Sequence, residues 1–280
     1  MLADRAVGGE PARAGVWRRI EPGALTIWLL AALTLLYLLM PLAQLLLAEP
    51  WPQVPAALAD PLTVGAAQTS ALAATITTAL VALGGVPLAY ALAHWRFPLR
   101  AVVTGLIFTP LVFPAVVSGI AQLLVYGPYG PVGGFFAARG VELTDSLAGV
   151  VLAQSFVAAP FAVVAARSAF EAVNPLTEAV AETLGASRWR VFWTISLPQA
   201  WSGVLAGLAL TWLRAFGEFG ATAVMAYHPY TLPVYVYVQL TGLGTPAALP
   251  LALVALAACV VVIAIALLLT RRALPGGGRP

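Results

Sequence analysis

The sequence predicts an all-α integral membrane protein with six transmembrane helices and both termini in the cytoplasm. Three observations predict it. The 280 residues are 61% hydrophobic and only 9% charged. Six stretches stay apolar for about 20 residues or more, the length at which a helix crosses the hydrocarbon core of a bilayer. The arginines, finally, fall almost entirely on one side of those stretches.

Residues 1–23 hold Arg5, Arg13, Arg18 and Arg19 and read as a cytoplasmic tail. The run that follows, 24–48, is about 25 residues long, against roughly 7–15 for the apolar region of a cleaved signal, and reads as an uncleaved first span. The second span, 68–93, carries Thr69, Ser70, Thr75, Thr77 and Thr78, hydroxyls able to bond their own helix. Gly84, Gly85 and Pro87 interrupt it, as Pro110 and Pro114 interrupt the third span, 102–125. Such breaks survive in a bilayer where neighbouring helices or trapped water satisfy the freed backbone. They read either as close helix packing or as kinks lining a pathway. The turn-rich segment 126–145 leads into the fourth span, 146–166, with a helix start at Asp145. The fifth span, 200–227, and the sixth, 247–270, are separated by residues 228–246. There Tyr230, Tyr235 and Tyr237 read as an interfacial aromatic belt, with a partly re-entrant gate or docking surface as the alternative. Residues 24–270 thus form one membrane domain, and 271–280 a second cytoplasmic tail.

Orientation follows from the arginines. Arg96 and Arg100 follow the second span; Arg167, Arg188 and Arg190 lie in or at the loop 170–198; Arg271, Arg272 and Arg279 close the chain. All share the side of the N-terminal arginines, whereas Arg139 stands alone opposite and Arg214 lies inside a span. The positive-inside rule therefore places both termini and the loop 170–198 in the cytoplasm. The formal charge of +3 reflects this bias and calls for no nucleic-acid partner.

Several activities are excluded by composition. All 14 basic residues are arginine. A phosphate-binding P-loop needs a lysine to reach the phosphates, so the chain has none, and lysine Schiff-base chemistry is excluded with it. Cys259 is the one cysteine, which rules out an intrachain disulfide and a cysteine-cluster metal site. His94 and His228 fall on opposite sides of the membrane and read as structural. No catalytic constellation and no cofactor site is visible. The longest stretch outside the membrane, about thirty residues, is too short for an enzyme domain.

Two segments place charge where a greasy chain has no need of it. In "LTWLRAFGEFGATAVMA" the fifth span carries Arg214 and Glu218 near mid-bilayer. Each costs about 2.5–3.5 kcal/mol on insertion scales, so neither should face lipid. Four residues apart, they share one helical face and can pair. With Gly217, Phe219 and Gly220 they form a candidate pathway or gate; a structural ion pair is the alternative. The second segment is "LTEAVAETLGASRWRVFWTISLP", 176–198, with Glu178, Glu182, Arg188 and Arg190. Pro175 suits a first helical position, 177–184 is helix-compatible, and Gly185 ends that helix as a C-cap glycine does. A proline-marked restart follows at Leu197–Pro198. A short helix that cannot bury its own face is suited to lie in another protein's groove.

This second segment resembles the EAA loop of permease subunits of ATP-binding-cassette (ABC) importers. That pattern is Glu-Ala-Ala, three residues, Gly, nine residues, Ile, one residue, Leu-Pro. Ala181, Gly185, Ile195, Leu197 and Pro198 stand at its intervals; Ala179 occupies the glutamate slot and Val180 the first alanine, with Glu178 the nearest carboxylate. Six spans, cytoplasmic termini and the loop's place before the fifth span agree with that family. Within it, "RAFGEFGAT" (214–222), "AYHPYTLPVYVY" (226–237) and "GPYGPVG" (127–133) are similar to the oxyanion permeases, most of all the molybdate/tungstate branch.

The resemblance implies a type I importer permease fold (MetI-like) working as a homodimer in the cell membrane. It implies a cytoplasmic ATPase dimer that binds the ATP and grips one coupling helix per permease, and an extracytoplasmic protein that delivers the oxyanion. It assigns ATPase coupling to Glu178, Ala179, Ala181, Glu182, Leu184, Gly185, Ala186, Arg188 and Trp189. Alternatives are a sulfate or thiosulfate cargo or, outside the class, an ion-coupled secondary transporter using Arg214 and Glu218.

Overall fold

A computed structural model describes residues 22–48 and 51–273. The tails expected over 1–23 and 271–280 lie almost wholly outside the described residues. Two units are distinguished, one ending at Glu49 and one beginning at Pro50. The described part of the first is α1 (Pro22–Leu47), a helix of 26 residues with mean hydropathy 2.2 in its span. Its Thr34 hydroxyl bonds back to the Leu30 carbonyl, which spares the membrane an open polar group.

The second unit is all-helical over its described residues. A single turn at Trp51–Gln53 and α2 (Val54–Ala59) precede α3 (Pro61–His94), which is 34 residues long. At 1.5 Å per residue that is about 51 Å, well beyond a bilayer core of about 30 Å. The start of α3 lies ahead of the second span expected from residue 68. Its signal is local: Asp60 accepts hydrogen bonds from the Thr63 amide and hydroxyl at 2.9 and 2.8 Å, and Pro61 takes the first helical position.

The third span, expected as one run over 102–125, is two helices, α4 (Arg100–Val112) and α5 (Ala115–Tyr126), bent by 118°. Pro114 causes the break. It has no amide hydrogen to continue the ladder and it drives the preceding residue into extended backbone, where Phe113 sits at ψ 132°. A short α6 (Gly133–Ala137) lies in the external segment. The fourth span is α7 (Leu147–Glu171), capped by Ser146 rather than Asp145: the Ser146 hydroxyl accepts from the Gly149 amide. Asp145 instead sits at φ 45° and accepts from the Tyr227 and His228 amides, which ties two external segments together.

The helix α7 is the centre of the bundle, packed against both α3 and α10 (Leu197–Phe216). Its contact with α10 is made close by small residues. A Cβ placed on Gly203 or Gly207 would lie 2.5 Å from Ala169 Cβ or 2.7 Å from Ala165 Cβ. Two small residues four apart on each helix thus let the backbones approach, the packing mode that membrane helices favour.

The fifth span also differs from expectation. The helix runs to Phe216 and unwinds over Gly217–Phe219. It then resumes as α11 (Gly220–Met225), so 200–227 is not one continuous helix. The interspan segment 228–246 is largely a helix too, α12 (Leu232–Leu243), and α13 (Thr245–Ala273) is the last span. At 12 residues α12 is too short to cross a bilayer. The belt reading fails for Tyr235, which is buried: its hydroxyl bonds Asp60 and accepts from Gln239. Nearby, the Leu232 amide donates to Ser70 on α3 at 2.7 Å.

Candidate functional site

Two sets of polar residues were singled out from the sequence, and α10 lies between them. The first set follows α7. Asn174 caps α8 (Pro175–Thr183) by accepting from the Leu176 amide, and Pro175 takes the first position. The helix ends in a Schellman arrangement. Gly185, at φ +88°, donates its amide hydrogen to the Glu182 carbonyl at 2.9 Å, and Ala186 donates to Ala181 at 3.0 Å. Ser187 then caps α9 (Arg188–Val191), and a π-type turn over Phe192–Ser196 leads into α10.

This element turns apolar and charged groups outward together. Leu184 is 83% exposed and Trp189 66%, and Ala179, Glu182, Gly185 and Arg188 are exposed beside them. Ala181 and Ala186 are half-buried. Arg188 and Glu182 approach to 3.8 Å across the turn. Side chains of this kind, held on a capped helix and a fixed turn, form an exposed knob of fixed shape.

Glu178, which the resemblance groups with the coupling residues, differs from its exposed neighbours in facing inward. Its carboxylate is buried against its own chain. One oxygen accepts from the Ser196 hydroxyl at 2.5 Å, and the other lies 2.9 Å from His94 Nε2 at the end of α3. The physical reason is helical phase. Glu178 lies on the face of α8 turned towards α3 and the π-type turn, while Ala179 in the family's glutamate slot faces outward. Sequence reasoning missed His94 and Ser196 as members of this site. The only available signal was a histidine in the last turn of a span, and contacts between elements distant in the chain are invisible to spacing.

The second set lies at the other end of α10, about 30 Å away along its 20 residues. Arg214 Nη1 and Glu218 Oε2 are 2.5 Å apart, with the arginine side chain 32% exposed and the glutamate 1%. The second oxygen of Glu218 accepts from the Ala221 amide at 2.8 Å and so caps α11. Gly217 lies in the unwound stretch. Phe219 rests against the Tyr237 ring at 4.8 Å. Gly220 approaches α5 so closely that a Cβ there would sit 2.7 Å from Ala115 Cβ; one on Gly119 would sit 2.8 Å from Val224 Cβ. The two broken spans therefore pack on each other. Within the unwound stretch Glu218 is buried and Phe219 half-buried, while Gly217 is exposed; unwound backbone at membrane depth needs cover from protein or a water-lined cavity. Among the described residues no group of histidine, cysteine and carboxylate side chains could hold a metal.

Comparison with known proteins bears on this arrangement. Residues 85–275 match the family described as the binding-protein-dependent transport system inner membrane component. A probable molybdenum ABC transporter permease protein of Haloferax volcanii is 46% identical over 230 residues, 81% of this chain and 82% of that one. A molybdate/tungstate transport system permease protein of Thermococcus kodakarensis is 38% identical, covering 82% of this chain and 90% of the relative. A sulfate transport system permease protein of Escherichia coli is 30% identical over 85% of this chain and 89% of its own. Among solved structures, a chain of a bacterial alginate ABC transporter superposes with a TM-score of 0.72 at 16% identity, over 94% of this chain and 99% of that one. A chain of a methionine ABC transporter in inward-facing conformations gives 0.62 at 13% identity, over 76% and 97%. The likeness to these structures is one of fold, and the sequence match is one of family: this multi-pass membrane chain belongs to the inner-membrane permease components of binding-protein-dependent ABC import systems.

Proposed function

We propose that two copies of this chain form the pathway of an importer for an oxyanion, with molybdate or tungstate as cargo ahead of sulfate. The observation that carries the mechanism is the capped knob on α8 and α9, exposed at the arginine-rich end and joined to α10. A cytoplasmic ATPase gripping the knob would displace it, and a continuous helix would carry that displacement to the break at Gly217–Phe219. The chain contributes no ATP site of its own; ATP binds to the partner. An extracytoplasmic binding protein presents the anion on the opposite face. Closed two-fold symmetry gives a paired ATPase two equivalent docking points.

At the break, the Arg214–Glu218 pair lines or borders the pathway. A lone arginine would hold a dianion too firmly for release, and the adjacent carboxylate offsets that attraction. The cargo reading is supported by the names of the molybdate and tungstate relatives and by the greater distance of the sulfate relative. Vesicles carrying the permease, its ATPase and the cognate binding protein test it. Labelled molybdate and tungstate should accumulate with ATP on the ATPase side, and each should suppress uptake of the other more strongly than sulfate does. Preferential uptake of sulfate would overturn the cargo while leaving the class intact.

A further inference from the structure

The coupling helix α8 turns one buried carboxylate into the rest of the chain, and that carboxylate is gripped from two sides, while Gln199 of α10 donates to Thr177 at 3.4 Å on the exposed side. Ser196 reaches Glu178 from the turn that starts α10, and His94 reaches it from the last turn of α3. The imidazole is itself fixed. Its Nδ1 lies 3.1 Å from the Tyr90 carbonyl, one turn back on the same helix, and its ring lies against the Tyr90 ring at a centroid distance of 4.2 Å. A carbonyl only accepts, so Nδ1 carries a hydrogen there. Nε2 then faces a carboxylate oxygen at 2.9 Å. Two lone pairs at that separation repel, so a proton lies between them. His94 is therefore oriented by one hydrogen bond and spends its other nitrogen on Glu178, an arrangement that fixes a side chain's direction as well as its position.

Other charged groups round this point are few. Glu182 on α8 and Arg188 on α9 line the same cleft as His94 and Glu178, but Arg188 is directed to Glu182. Apolar contacts brace the turn rather than α8: Phe192 packs edge-on to Tyr90 at 4.9 Å. The His94–Glu178 contact is the polar tie from α8 to a span other than the one it leads into.

We infer that His94 is a positioning residue for coupling: through Glu178 it latches α8 to α3, so that displacement of the knob moves α3 as well as α10. The inference rests on the importer reading above. Since α3 packs along α7, the latch delivers the stroke to both sides of the central helix. Without it α8 would be held only by its chain links to α7 and α9 and its contacts with the start of α10, and part of each stroke would be lost.

The test is the number of ATP molecules hydrolysed per molybdate imported, measured in vesicles with the complete complex. His94→Ala should raise that ratio about tenfold, a typical size for loss of one coupling contact. Glu178→Ala, which releases Ser196 as well, should raise it at least as much, and the double variant should be no worse than Glu178→Ala, because His94 acts only through that carboxylate. His94→Gln keeps a side-chain donor for the carboxylate and should return the ratio to within about twofold of the parent. If His94→Ala does not assemble, His94→Asn takes its place, with its donor too short to reach, and should show the raised ratio. A parental ratio in His94→Ala or His94→Asn overturns the latch. So do multiplying effects in the double variant, or equal losses with alanine and glutamine. A parental complex that imports neither molybdate nor sulfate overturns the importer reading itself, a separate outcome.

Discussion

Glu218 joins Arg214 to the short helix beyond the break: one carboxylate oxygen meets the guanidinium and the other caps α11 through the Ala221 amide. The two partners are not equivalent. Arg214 keeps a third of its side chain exposed, whereas Glu218 is buried. Removing the arginine therefore strands a buried charge, while Glu218→Gln leaves an amide oxygen that still caps α11 and an arginine that is only partly buried. Arg214→Ala should cost about 3–5 kcal/mol, the range for orphaning a buried partner. Glu218→Gln should cost less, and the double neutral variant should recover part of the arginine loss. Thermal unfolding in detergent reads stability and vesicle uptake reads function. Additive losses would show that the two charges do not interact.

At Gly185 the constraint is conformational and not spatial. Nothing lies within 4 Å of where a Cβ would be, yet φ is +88°. Gly185→Val should cost about 1–2 kcal/mol locally and misdirect Leu184 and Ala186. Uptake should fall while permease yield holds. Gly185→Asn, which tolerates this backbone region better, should retain more uptake than valine.

Glycines in the spans divide by what a side chain would meet. A Cβ on Gly203 would collide with Ala169, whereas one on Gly84 meets nothing within 4 Å. Gly203→Ala should lower the unfolding temperature by separating α10 from α7, at a cost of about 1–3 kcal/mol for overpacking. Gly84→Ala should be neutral or slightly stabilising, since alanine is the better helix former. Equal effects at both positions would contradict the close α7–α10 contact.

Asp60 carries a pH dependence with a definite sign. The Thr63 hydroxyl, followed by the Thr63 amide, holds its carboxyl below the usual carboxylate value. A carboxyl lowered in the folded state stabilises above its unfolded value, and that contribution fades as pH falls through the folded one. Asp60→Ala should therefore cost about 1 kcal/mol at neutral pH, a typical loss for a helix cap. The difference from the parent should shrink below about pH 3.8, and unfolding curves at the two pH values check it.

Much of this architecture was legible in the sequence where the signal is local. The glycine and proline that bound α8 mark its ends, because capping is decided within a few residues. The path of the backbone within the apolar runs was not legible. Hydrophobicity is the same for a straight span and for one broken at Pro114 or at Gly217, so 102–125 and 200–227 read as continuous. The fold of α12 was hidden for a similar reason: its tyrosines suit an interface and a buried contact equally. Asp60–Pro61 did announce the start of α3, outside the apolar run that drew attention. The inward turn of Glu178 depends on His94, a partner supplied by another span, and no spacing rule reaches that far.

The central claim is that an ATPase moves this chain through its knob on α8 and α9. Vesicles containing the permease, ATPase and binding protein, with no ion gradient, measure it most directly through labelled molybdate uptake before and after ATP is supplied to the ATPase side. The expected result is accumulation that begins with ATP, persists when ionophores dissipate every gradient, and is lost in Gly185→Val. Uptake that proceeds without ATP and collapses with the gradients would contradict the account.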